Sequence, residues 1–219
     1  MSGTIGEATD GTASPIRCHG IRGGVVAART LAVLVLLGGL AAGAHWASAT
    51  GADPAVARYG HLEPSLRFDF PVGPPDAEGY YDAQGFGENF HLGEDWNGEG
   101  GGNTDLGDPV HAIAHGEVTF AEDAGKGWGN VVRIVHHVRR QGRSDFVESL
   151  YAHLDTIEVE VGDLVSRGQI VGAIGDAGGT YVPHLHFEIR RTPDLPIGPG
   201  YSPDNSQWLD PSAFIEEHR

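Results

Sequence analysis

The chain has 219 residues and a formal net charge of −16, from 30 acidic and 14 basic side chains. No basic block interrupts that acidity, which excludes a nucleic-acid binder. The single cysteine, Cys18, lies near the N-terminus; it excludes an internal disulfide framework and a cysteine-based zinc site, so any metal falls to His, Asp or Glu.

Arg17, Arg22 and Arg29 precede an apolar run, "TLAVLVLLGGLAAGA" (30–44), which is followed by "HWASAT". Positive charge, an apolar stretch and the small residues Ala47 and Ala49 make a secretory signal pattern over residues 1–49. An uncleaved membrane anchor over about the same run is the other reading, since it approaches the ~20 residues that span a bilayer. Either one exports the remainder to a periplasmic or extracellular site. Residues 50–80 are Pro-rich with little periodicity and are expected to form a linker or an extended arm, with "RFDFPV" a short edge strand at most.

From about residue 81 the pattern changes, and 81–219 is expected to be the catalytic-type domain. "PVHAIAHGEVTFAED" (109–123), "NVVRIVHHV" (130–138) and "FVESLYAHL" (146–154) read as strands. "TIEVEVGDLVSRGQIVGAIGDAGG" (156–179) is two short apolar segments joined by a turn, and "VPHLHFEIRR" (182–191) is a further strand. Short strands, 34 glycines and 13 prolines predict an all-β fold, mainly antiparallel, sandwich- or barrel-like with an open groove and few short helices. The tail predicts one such helix, with Asp210 as N-cap and Pro211 in its first position.

Twelve histidines are present, and most call for an ordinary structural reading. His111 and His115 sit four apart, a ligand spacing on a helix but not on the strand and turn expected here. His136 and His137 point to opposite faces of a strand. Two other places carry more. In "HLGED", a bend at Gly93 can turn His91 and Asp95 toward one point. In "PHLHFE", alternation puts His184, His186 and Glu188 on one strand face, about 6.5–7 Å apart in steps of two, with Leu185, Phe187 and Ile189 on the other. Imidazole, carboxylate and imidazole plus a water make the open arrangement of catalytic zinc. Taken alone, H-x-H reads equally as a polar outer sheet face.

"HLGED", "YAHLDTIEVEVGDLVSRGQIVGAIG" and "PHLHFEIRR", in that order between about Gly85 and Arg190, resemble the M23 family of zinc peptidases, the lysostaphin-type endopeptidases of bacterial cell walls. The resemblance implies one Zn(II) per chain held by His91, Asp95 and His186. It implies His153 and His184 as catalytic histidines beside the metal, and a peptidoglycan peptide as substrate. Glu188 would then orient a ligand from behind, or else be an outward surface carboxylate or a partner in a sheet salt bridge. The Gly-rich stretch after Asp95 departs from the family pattern and brings Glu99, Asn103 and Asp105 toward the expected cleft, by default as a surface loop. A tyrosine that some members carry before the first histidine is replaced by Phe86 and Phe90. A non-catalytic metal-binding regulator of other wall hydrolases is the alternative, although every matching position retains a competent side chain. A biotinyl- or lipoyl-type carrier is set aside because the only lysine, Lys126, lacks the flanking pattern.

Overall fold

Most alternating stretches become ladder strands in the computed structural model, which describes residues 53–125, 127–140 and 142–219; the run at 158–163 does not. The leader expected over 1–49 lies outside the described residues. Among the described residues, no helix is long and apolar enough to cross a membrane.

A short helix α1 (Pro54–Tyr59) is followed by β1 (Tyr80–Gln84), β2 (Glu94–Gly98), β3 (Pro109–His111), β4 (Gly116–Asp123) and β5 (Asn130–Arg140). Then come β6 (Arg143–Ile157), β7 (Leu164–Val165), β8 (Ile170–Ile174), β9 (Leu185–Arg190), β10 (Trp208–Leu209) and the helix α2 (Pro211–Glu217). The main sheet runs β1-β2-β9-β6-β5-β4-β7, with β10 on β9, and β8 bridging β6 to β3. Every pairing is antiparallel. The all-β expectation therefore holds. β5 and β6 run past the predicted strands because Arg139, Arg140, Arg143 and Ser144 continue the ladder beyond the apolar positions. In α2 the Asp210 carboxylate accepts from the Ala213 N–H at 2.8 Å, as its cap position predicts.

Residues 53–79 are woven into the core. Phe68, Phe70 and Val72 are buried with Ile134, Tyr151, Leu185 and Phe187, and Phe68 meets Phe214 edge-on at 5.1 Å. Their backbone forms no strand; it bonds singly to distant carbonyls, Ser65 to His137, Phe68 to His218 and Asp69 to Ile113. Phe68, Phe70 and Val72 thus pack into the same core as the strands.

β9 is buried along its whole length, unlike a strand with one polar outer face. Leu185, Phe187 and Ile189 join the core as expected. The opposite face is covered too, which makes Glu188 a buried group and not a surface carboxylate.

His136 and His137 serve the fold. His136 donates from Nδ1 to the His115 carbonyl (2.9 Å) and accepts at Nε2 from the Ser149 hydroxyl (2.7 Å). His137 donates to the Leu62 carbonyl at 2.7 Å. Full burial pushes the His136 pKa down to about 4. Between about pH 4 and 6.5 the unfolded chain therefore binds a proton that the folded chain refuses, so stability rises with pH across that window. The contribution is on the order of 3 kcal/mol, complete above the unfolded pKa and lost as pH falls toward 4. Denaturant unfolding from pH 4 to 7 should show this slope in the native chain and a flatter one in His136→Gln. Phe68→Ala should cost about 3–5 kcal/mol in the same assay, the value for a core aromatic and not for a linker residue.

Candidate metal centre

Asp95 on β2 and His186 on β9 are register partners, so their side chains leave neighbouring strands on one face. His91 comes from the bend before β2 and is fixed by an isolated bridge to Tyr201. Gly93 allows this bend. A Cβ there would lie 2.4 Å from the Phe187 carbonyl oxygen and 3.0 Å from the Glu188 side chain, so the chain crosses β9 only with glycine at that point.

The ligand-type atoms converge. His91 Nε2 lies 3.0 Å from His186 Nδ1, His186 Nδ1 lies 3.0 Å from Asp95 Oδ1, and His91 Nε2 lies 3.4 Å from Asp95 Oδ1. A tetrahedral zinc with bonds of about 2.0–2.1 Å separates its ligand atoms by roughly 3.3 Å, so these spacings suit such an ion. The outer nitrogens fix the tautomers. His91 Nδ1 faces the Gln84 carbonyl at 3.2 Å, and His186 Nε2 faces Glu188 Oε1 at 3.2 Å. Both partners only accept, so both outer nitrogens carry hydrogen. Two imidazole lone pairs and a carboxylate oxygen then face one point, an arrangement that repels itself unless positive charge sits between them.

The acid–base behaviour agrees. Burial opposes charge on His186, but hydrogen bonds to Asp95 and Glu188 outweigh it and push its pKa up to about 9. Burial would raise the Asp95 carboxyl, yet hydrogen bonds from His186 and His91 hold it well below the usual carboxylate range. Both shifts show that the cluster favours a positive charge among these three side chains. The residues therefore fit a zinc ion. They leave one side open onto a groove of about 360 Å³ bordered by Gln84, Trp128, Tyr181 and Tyr201.

His153 and His184 stand on that open side. β6 pairs with β9 up to Ala152 and with β8 from Leu154, and His153 sits at the changeover with φ of 63°. Its Nδ1 donates to the Trp128 carbonyl at 3.1 Å, which turns Nε2 to the groove. Burial, then the neighbouring charges of His186 and His184, push its pKa down to about 3. His184 lies just outside β9 and donates from Nδ1 to the Val182 carbonyl at 2.8 Å. Its Nε2 is 3.7 Å from Asp95 Oδ1, and its ring is 4.8 Å from that of His153. All five singled-out residues are thus brought together, with His186 and not His184 in the three-atom cluster.

Other sequence expectations fall elsewhere. Glu99, Asn103 and Asp105 do not border the groove. Asp105 is buried beneath its own loop, where it accepts from the Gly98 N–H at 3.0 Å. Phe90 points to solvent, and the aromatic ring beside His91 is Tyr201, stacked at 5.0 Å with its hydroxyl donating to Gln84. Tyr181 lies 4.9 Å from His153, and Trp128 meets His186 edge-on at 5.3 Å. These three aromatics were not singled out from sequence. Each is a lone ring in a Gly- or Pro-rich loop, and only that setting hints at an exposed functional position.

A mainly antiparallel sheet carrying an open two-histidine, one-carboxylate centre defines a catalytic-type metal site. The model of Peptidase family M23 matches residues 89–206, more than half of the chain, and the chain belongs to that family of zinc-dependent peptidases. It is 40% identical over 113 residues to the DD-carboxypeptidase/endopeptidase Mpg of Neisseria meningitidis serogroup B, covering 51% of this chain and 24% of that one. It is 34% identical to lysostaphin of Staphylococcus simulans over 113 residues, 51% of this chain and 20% of that one. The chain thus spans a quarter or less of the length of these relatives. Among solved structures, lysostaphin from Staphylococcus simulans aligns at 29% identity with a TM-score of 0.48, over 64% of this chain and 50% of that one.

Gly93→Ala tests the crossing. The new methyl group should displace β9 at Phe187, cost about 1–3 kcal/mol as overpacking does, and shrink the gain in Tm that added zinc gives. Thermal unfolding with zinc and with chelator measures both effects.

Proposed function

We propose that the chain is an exported zinc endopeptidase that hydrolyses peptide cross-links of bacterial peptidoglycan. One zinc is held by His91 Nε2, Asp95 Oδ1 and His186 Nδ1. The observation that carries the reading is the convergence of three lone-pair atoms at 3.0–3.4 Å on the floor of an open groove. Family membership and the similarity to Mpg and to the glycyl-glycine endopeptidase ALE-1 of Staphylococcus capitis support peptide-bond hydrolysis. Export is supported by the arginines and the apolar run of residues 1–49, as a cleaved signal or as an anchor.

Zinc at this position supplies Lewis acidity, which polarises a scissile carbonyl and makes water a nucleophile near neutral pH. The chain's own residues do the rest. His153 presents Nε2 to the groove, held there by the Trp128 carbonyl, and is placed to accept the water proton. His184 presents its Nε2 from the other side, and the pair serves the developing oxyanion and the departing amine. Tyr181, Tyr201 and Trp128 line the groove with flat surfaces against which an extended peptide lies.

The test is digestion of purified peptidoglycan with mass analysis of the fragments. Cleaved cross-links should appear, vanish with chelator and return with zinc. His91→Ala should lose zinc. His153→Ala should keep zinc and lose about 10²–10⁴-fold in kcat, the range for a general base. Hydrolysis by the zinc-free chain at the native rate would sink the proposal, and zinc binding without hydrolysis would mark a regulator.

A further inference from the structure

Glu188 and Arg190 follow His186 at alternate positions of β9, share its face and are both 0% exposed. Glu188 Oε1 accepts from His186 Nε2 at 3.2 Å, and Oε2 accepts from Arg190 Nε at 2.9 Å and from Trp208 Nε1 at 2.8 Å. Arg190 also faces the other way. Its Nη1 donates to the carbonyls of Leu195 (3.3 Å) and Pro196 (3.4 Å). Arg133 Nη1 reaches the same Leu195 carbonyl at 2.6 Å and pairs with buried Glu148, which lies 3.7 Å from Arg190. Those carbonyls belong to the segment between β9 and β10, which forms a groove wall at Pro199, Gly200 and Tyr201. Trp208 packs under it, since a Cβ on Gly198 would lie 3.3 Å from the indole. Tyr201, at the end of the wall, stacks on His91.

Burying two carboxylates and one guanidinium, with the Arg133 guanidinium partly buried beside them, costs several kcal/mol per buried ion, and apolar residues often replace such groups without loss of stability. Stability does not account for the network; geometry does. A carboxylate at 188 only accepts, so it holds His186 with hydrogen on Nε2 and a lone pair on Nδ1. A guanidinium at 190 is a rigid fork that serves Glu188 with one nitrogen and the wall with another.

We propose that Glu188 and Arg190 are one positioning unit that sets the ring of His186 and the wall segment 191–201 together, so that metal affinity and substrate fit depend on the same buried pair. This rests on the reading that His91, Asp95 and His186 hold zinc. Glutamine at 188 would turn an NH₂ toward either His186 or the Arg190–Trp208 pair, and one of the two loses its acceptor. Lysine at 190 keeps the charge and cannot span both partners.

The experiment measures two quantities on Glu188→Gln, Arg190→Lys and Trp208→Phe. The zinc dissociation constant comes from competition with a chromophoric chelator. KM and kcat come from a soluble cross-linked peptidoglycan fragment at saturating zinc. Glu188→Gln should raise the zinc constant by about 10–100-fold, the usual effect of losing such a partner. Arg190→Lys should raise the zinc constant and, at saturating zinc, also raise KM several-fold. Trp208→Phe removes one donor without burying a new charge, so it stays informative if Arg190→Lys fails to fold; it should move both quantities in the same direction by less. Zinc constants within twofold of native in the folded variants overturn the proposal. So does a KM within twofold of native in both Arg190→Lys and Trp208→Phe. A native chain that binds no zinc overturns this proposal and the reading beneath it, and the native titration alone distinguishes that case.

Discussion

Asp95 opposite His186 across β2 and β9 is the contact on which the site depends. Opposed residues on antiparallel strands have their Cβ atoms about 4.5–5.5 Å apart, so two short side chains meet without any loop having to order itself. The third neighbour in that row is Ala152 on β6, whose small side chain leaves room for the His186 ring. His91 then needs one bend, and His153 one kink, to reach the same point. The ladder also sets the two histidines after Pro183 apart. His186 is inside the strand and rigid, whereas His184 lies one step outside and faces the groove.

Charge is arranged in layers around this contact. Asp95 and Glu188 flank His186 on its two nitrogens, which makes the centre electron-rich and explains its strong demand for a cation. Arg190 and Arg133 balance the inner carboxylates from behind, away from the groove. A positive ion in front and guanidiniums behind leave no carboxylate of this group unpaired, which is the condition under which buried ions are tolerable.

The strands were legible because alternation is a local signal, and it also put His184 and His186 on one face. His91 and Asp95 were suggested by the bend at Gly93, and His153 only by the family resemblance. The terminal helix was legible from Asp210 and Pro211, again a local signal. The role of residues 53–79 was not, since Phe68, Phe70 and Val72 are interrupted by Pro71, Gly73 and prolines, and their burial depends on partners over 40 residues away such as Ile113 and Phe214. Glu188 was placed on the correct face, but alternation does not reveal whether a face is covered. Here Trp208 and the segment before it cover it. Tyr201 escaped notice because its stacking on His91 joins residues 110 positions apart through a loop without periodicity.

His153 holds a left-handed backbone, a conformation that costs a non-glycine residue on the order of 1–3 kcal/mol. Glycine would rest there without that penalty and remove the imidazole. At this one position the sheet's comfort and its chemistry oppose each other. With His153 in the role proposed above, selection for thermostability alone, blind to turnover, would drift toward a sturdier and inert protein through this residue. A stabilisation campaign on the domain therefore has to screen for hydrolysis at every round.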